Sequence, residues 1–371
     1  MLQNFDLKAY LPTTKKELQL RGWDEVDVIL FSGDAYIDHP AFGAAVIGRV
    51  LEHAGYKVAI VPQPDWRGDH RDFTKLGRPR LFFAVTAGSM DSMVNHYTAA
   101  KRLRSDDAYT PEGKAGMRPD YCTITYCNIL KQLYSDVPIV IGGVEASMRR
   151  LTHYDYWSDK LKPSILVDSK ADVLVYGMGE NATREIAHRL KKKEPVSSLT
   201  DIKGTAVLVS DPSVCKYESI ELPSYAEVVA DKMAYAVATR KEYDEHDPIR
   251  GKALLQKHDN RWLVCNPPQM PLNTQELDKV ADLPYTREVH PMYDEMGGVP
   301  AIEEVRFSVI HNRGCIGYCN FCALAFHQGR MITSRSHESV IREVTAMTKH
   351  PLWKGYVADV GGPTANFRQP S

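Results

Sequence analysis

The sequence predicts an α/β protein: a parallel sheet with helices on both faces over residues 1–210, a connecting region over 211–300, and the opening of a second strand–helix unit over 301–371. Three observations carry this. Short apolar runs alternate with helix-spaced segments between about residues 24 and 210, most of those runs stop at glycine or small polar residues, and a compact cysteine motif follows a last strand near residue 310.

The run 26–31 is apolar and β-rich, closed by Ser32-Gly33-Asp34. Residues 41–53 carry apolar side chains at helical spacing, stop at Gly55, and lead into a second strand, 57–61, before Pro62. Further strands are expected at 81–85 ahead of Gly88, 138–141 ahead of Gly142-Gly143, and 171–176 ahead of Gly177-Met178-Gly179-Glu180. Open parallel sheets bind ligands outside the carboxyl ends of their strands, so these glycine turns are expected to face one crevice. Taken singly, each glycine also answers a steric need of its turn. No G-x-G-x-x-G follows the first strand, which argues against a dinucleotide site.

Between 211 and 300 the alternation fades at Pro212, Pro248, Pro267-Pro268, Pro271, Pro284 and Pro291, with one long helix expected over 225–245. The region is too long for a bare loop and should hold small elements of its own. Beyond it come a strand at 306–310, a helix over 336–350 capped by Ser336 and carrying Glu338 and Glu343, and a strand at 355–360 ending in Gly361-Gly362-Pro363.

Charged residues make up 25% of the chain and the formal net charge is −1, which gives no electrostatic case for nucleic acid or a membrane surface. No apolar run approaches the roughly 18 residues of a membrane span, and the start lacks a basic flank and hydrophobic region; a cytoplasmic location is the expectation. The cluster His188-Arg189-Leu190-Lys191-Lys192-Lys193 ends a helical stretch, where cations are favourable, and reads as a solvated helix end. An odd count of 7 cysteines argues against a disulfide framework.

Cys315, Cys319 and Cys322 form a C-x3-C-x2-C motif. Thiolates in a short loop bind soft metals or iron–sulfur clusters, and three of them leave one iron of a cubane open, whereas a closed structural site uses four ligands. A zinc site that adds His311 or His327 is the competing reading, which would make the chain a structural zinc-binding protein. Cys122, Cys127, Cys215 and Cys265 show no metal spacing and are expected to be buried or semi-buried thiols.

The cysteine spacing, with Phe321 directly ahead of the third cysteine, resembles the motif of the radical S-adenosylmethionine (SAM) superfamily. The resemblance implies a 4Fe-4S cluster on Cys315, Cys319 and Cys322 and SAM on its open iron. It further implies reductive cleavage to a 5′-deoxyadenosyl radical acting on an unknown substrate, with electrons from a donor such as flavodoxin or ferredoxin. Phe321, Gly361 and Gly362 are its implied cofactor-binding residues. Gly361-Gly362 corresponds to the glycine-rich turn whose backbone contacts the SAM amino group, with Pro363 replacing the usual acidic residue.

Gly142-Gly143-Val144-Glu145-Ala146-Ser147-Met148-Arg149-Arg150, His153-Tyr154-Asp155-Tyr156-Trp157, Tyr176-Gly177-Met178-Gly179-Glu180 and Gly33-Asp34-Ala35-Tyr36 resemble the YgiQ-type family within that superfamily. So does Asp359-Val360-Gly361-Gly362-Pro363-Thr364-Ala365-Asn366. The implied fold is a doubly wound, Rossmann-like, cobalamin-binding-like sheet domain followed by an incomplete radical SAM (β/α) barrel, truncated at its C-terminus. An inactive fragment or binding module is the alternative function. Cobalamin is a secondary expectation, since D-x-H-x-x-G is absent and Asp38-His39-Pro40-Ala41-Phe42-Gly43 has the wrong spacing. Tyr154 to Trp157 read equally as a substrate surface or a packing segment. Arg149 and Arg150 read as anion ligands or as ion-paired side chains. The sequence points to no general acid or base.

Overall fold

The computed structural model describes residues 6–317, 319 and 321–362. The strands of the first part are β1 (Val28–Ser32), β2 (Val58–Pro62), β3 (Phe82–Thr86), β4 (Ile139–Gly142), β5 (His153–Asp155), β6 (Lys160–Lys162), β7 (Val173–Val175), β8 (Thr205–Val209), β9 (Ser219–Glu221), β10 (Ala253–His258) and β11 (Arg261–Cys265). Nine of them form one sheet in the order β2-β1-β3-β4-β7-β8-β11-β10-β9. The pairings from β2 to β7 are all parallel.

These strands are apolar without interruption because both faces are covered. Ile29, Phe31, Phe83, Val85, Ile139 and Ile141 pack on one side against Tyr126, Cys127 and Leu130 of the Cys122–Leu133 helix. Val28, Leu30, Phe82, Ala84 and Val140 pack on the other against Leu51 of the Gly43–His53 helix and Ile186 of the Glu180–Lys191 helix. The crossover after β1 and the one after β3 therefore lie on opposite faces, which makes the sheet doubly wound. The order reverses between β1 and β3, the kind of point where such sheets bind ligands.

The sheet does not stop at the expected boundary of 210. β9, β10 and β11 extend it because Leu254, Leu263 and Cys265 continue one apolar face and Val264 the other. The helix expected over 225–245 is two, Tyr225–Ala230 and Lys232–Asp244. Asp231 takes an extended backbone between them, and its carboxylate caps the second by accepting from the Met233 N–H.

The later strands are β12 (Ser308–Ile310), β13 (Asn312–Arg313), β14 (Thr333–Ser334) and β15 (Asp359–Gly361). β12 and β15 pair in parallel, connected through the His337–Met347 helix, which Ser336 caps as expected. Phe307, Val309 and Met347 form a small core between them. Arg287 ties this unit to the preceding segment by donating to the carbonyls of Arg306 and Ser308 and pairing with Glu343. Among the described residues no helix is long and apolar enough to cross a membrane.

Candidate functional site

The carboxyl ends of β1, β3, β4 and β7 open into a cavity of about 450 Å³. Thr86, Gly88, Gly142, Gly143, Gly177 and Gly179 form much of its floor, so three of the expected glycine turns face one crevice, whereas Gly33 packs against the Ala87 carbonyl instead. Apolar side chains such as Ile47, Val144 and Leu324 make the walls. The far side comes from the second unit, through Ile310, Arg313, His327, Gln328 and Gly362. Residues on either side of the cysteine loop therefore close the cavity.

β13 pairs antiparallel with β14, which clamps the base of that loop. Beyond the ladder, the Cys315 N–H donates to the Gly329 carbonyl at 3.1 Å. Gly314 between them sits at φ +87°, and a Cβ there would collide with the Met331 carbonyl, so only glycine fits. At Gly317 a Cβ would lie 3.3 Å from Cys315 Sγ and 3.7 Å from Cys319 Sγ. Two thiols thus converge over a residue with no side chain. Cys315 is buried, Cys322 half-buried and Cys319 exposed.

Among the described residues, no three His, Cys, Asp or Glu side chains are gathered as a metal-ligand set. The donor chemistry nevertheless fits an iron–sulfur group: soft sulfur ligands, two already facing a shared space, on a loop with an open side. His327, one candidate fourth zinc ligand, is turned to other work. Its Nδ1 lies 3.0 Å from Ser147 Oγ, which also accepts from the Gly177 N–H at 3.1 Å. Burial pushes its imidazole down to about 4, so the ring is neutral at pH 7. Phe321 is 93% exposed and is not brought to the cavity. Gly361 ends β15 and Gly362 lines the cavity, packed against the Asn312 side-chain amide. Pro363 lies outside the described residues.

Sequence reasoning missed the pairings that dock the loop onto the sheet. Arg313 is ion-paired with Glu180, the first residue of its helix. Arg150 pairs with Glu242 at 3.0 Å and lies over the rings of Tyr176 and Phe326, while Phe326 stacks on His246. Arg149 pairs with Asp91, so both arginines follow the ion-paired reading. Arg313 and Glu180 lie 133 residues apart in the chain, and no local spacing announces such a pair. His39, the histidine nearest in sequence to a corrinoid-ligand pattern, is fully buried and accepts from the Ala41 N–H through Nδ1. It does not line the cavity; among the described residues the histidine that does is His327, whose Nδ1 is bonded to Ser147.

Residues 10–308 match the family model described as radical SAM N-terminal. The chain belongs to the UPF0313, YgiQ-type family of radical SAM proteins. A UPF0313 protein of Clostridium perfringens is 52% identical over 362 residues, covering 98% of this chain and 54% of that protein. One from Clostridium botulinum is 51% identical over 359 residues, covering 97% of this chain and 55% of the relative. The chain therefore spans about half the length of these family members. Among solved structures, the radical SAM methyltransferase TsrM from Kitasatospora setae, with tryptophan substrate and a SAM analogue bound, aligns at a TM-score of 0.46 and 15% identity. That alignment covers 86% of this chain and 45% of TsrM. The same enzyme with cobalamin and a [4Fe-4S] cluster aligns at 0.45.

Proposed function

We propose that Cys315, Cys319 and Cys322 hold a 4Fe-4S cluster whose open iron takes SAM, and that the family's radical chemistry acts on a substrate lodged in the cavity at the sheet's carboxyl edge. The observation that carries this reading is the convergence of Cys315 Sγ and Cys319 Sγ over Gly317, on a loop whose two flanks line that cavity. When bound, cluster and SAM supply a one-electron cleavage that yields a 5′-deoxyadenosyl radical.

The chain's own residues hold, orient and exclude. The three thiolates would hold the cluster, and the backbone of Gly361 and Gly362 would help hold SAM. The Arg313–Glu180 pair fixes the loop against the sheet, and the apolar walls keep water from a reactive radical. Neutral His327, bonded to Ser147, positions the helix behind the loop without adding charge beside the cavity. Electrons come from an external one-electron donor of the flavodoxin or ferredoxin type.

The test is anaerobic reconstitution of this chain with iron and sulfide. Broad visible absorbance that disappears in Cys319→Ala supports the reading; bound zinc without that absorbance contradicts it.

A further inference from the structure

Asn312 opens β13 just ahead of the cysteine loop and is 1% exposed, yet neither Oδ1 nor Nδ2 of its amide has a hydrogen-bond partner among the described residues. Ser334, its register partner on β14, is 3% exposed, and its Oγ is unpartnered as well. Three polar atoms without partners therefore gather at the base of the cysteine loop. Folded proteins pair roughly nine-tenths of their buried polar groups, and an unpaired one is destabilising. Among the described residues one other amide, that of Gln63, has both atoms unpartnered, and Gln63 is only half-buried.

The position of this amide is set by Gly362. A Cβ on Gly362 would collide with both Nδ2 and Oδ1 of Asn312, so the amide stands where a side chain of residue 362 would otherwise be. Gly362 lines the main cavity, and so do Ile310 and Arg313 on either side of Asn312. Backbone bonds fix the surroundings: the His311 N–H donates to the Gly361 carbonyl at 2.9 Å, and the Arg335 N–H donates to the His311 carbonyl at 2.8 Å. An adjoining cavity of about 20 Å³, lined by Asn312, Arg335 and Glu343 among others, has room for a water, and an Asn312 that only held a water would serve the fold.

A side-chain amide offers an acceptor and two donors side by side. The amino-acid end of SAM is complementary, with an amino group that donates and a carboxylate that accepts. We infer that Asn312 is a further SAM-binding residue, its Oδ1 accepting from the amino group and its Nδ2 donating to the carboxylate at the Gly361–Gly362 turn. This role rests on the cluster-and-SAM reading above and deepens it. Asn312 then supplies a polar contact that the Pro363 side chain, with neither donor nor acceptor, does not. Polar atoms that find partners only when ligand binds are the kind of local cost that functional sites carry.

The test compares the reconstituted chain with Asn312→Leu, which keeps the side chain's bulk and removes its polar atoms. Equilibrium dialysis should show SAM bound about tenfold more weakly or worse, the loss expected when a hydrogen bond to a charged group goes. 5′-Methylthioadenosine, which has the adenosyl and sulfur parts of SAM without the amino-acid end, should compete as well as before. Iron content should match, and the urea midpoint should hold or rise, because no buried polar atom of residue 312 is left unpaired. Gly362→Ala, whose methyl group displaces the amide, should cause the same selective loss, which keeps the test decisive if Asn312→Leu does not fold. Unchanged SAM affinity, equal weakening of SAM and 5′-methylthioadenosine, or a lowered urea midpoint in Asn312→Leu would overturn the inference. A chain that takes up no iron would instead remove the cluster reading, and the role of Asn312 with it.

Discussion

Arg313, two residues before the first motif cysteine, is ion-paired with Glu180 at the start of a sheet-domain helix. Glu180 is 5% exposed, and the Arg313 guanidinium also reaches Met178 Sδ at 3.7 Å. The cysteine loop is thus held by a charge from the other unit. Removing one partner of a buried pair strands the other, which costs about 3–5 kcal/mol. Glu180→Gln should lower unfolding free energy in urea by about that much. A Glu180→Leu, Arg313→Met double variant should recover most of it, because no uncompensated charge remains.

His327 makes stability depend on pH. Its folded value of about 4 lies below the roughly 6.5 of an unfolded histidine, so the unfolded chain binds more protons between those values. Stability is full above about pH 6.5 and falls as pH drops toward 4, by about 3 kcal/mol for this group. His153 and His258, also pushed to about 4 by burial, act in the same direction. Denaturant melts across pH 4–7 should show this decline, and His327→Gln should remove about one proton from its slope. An unchanged slope would mean the ring titrates normally.

Gly317 is predicted to matter for the metal and not for the fold. A methyl group placed 3.3 Å from Cys315 Sγ and 3.7 Å from Cys319 Sγ occupies the space the sulfurs share. Gly317→Ala should reconstitute with less than about a third of the iron of the unaltered chain while its urea midpoint stays put. Gly314→Ala should lose both, because its φ of +87° is strained for any side chain.

Much of this architecture is legible in the sequence. The apolar runs ending in glycine mark β1 to β4 and β7 because a strand buried on both faces can hold little else. The cysteine spacing marks the loop, and Ser336 marks its helix. What stays hidden depends on distant partners. β9 to β11 join the sheet despite flanking prolines, since Leu254 and Val264 find apolar faces set by strands far earlier in the chain. The Arg150–Glu242 pair and the His327–Ser147 bond leave no spacing to read. Tyr154 to Trp157 allow two readings from composition alone, and the fold divides them: Tyr154 and Tyr156 are exposed while Asp155 is buried beside them.

The central claim is that the three cysteines hold a cluster with one iron open to SAM. Electron paramagnetic resonance of the reconstituted, dithionite-reduced chain tests it directly. A reduced 4Fe-4S signal that shifts on adding SAM and is lost in Cys319→Ala is the predicted result. An iron signal indifferent to SAM, or one that survives in Cys319→Ala, would contradict it.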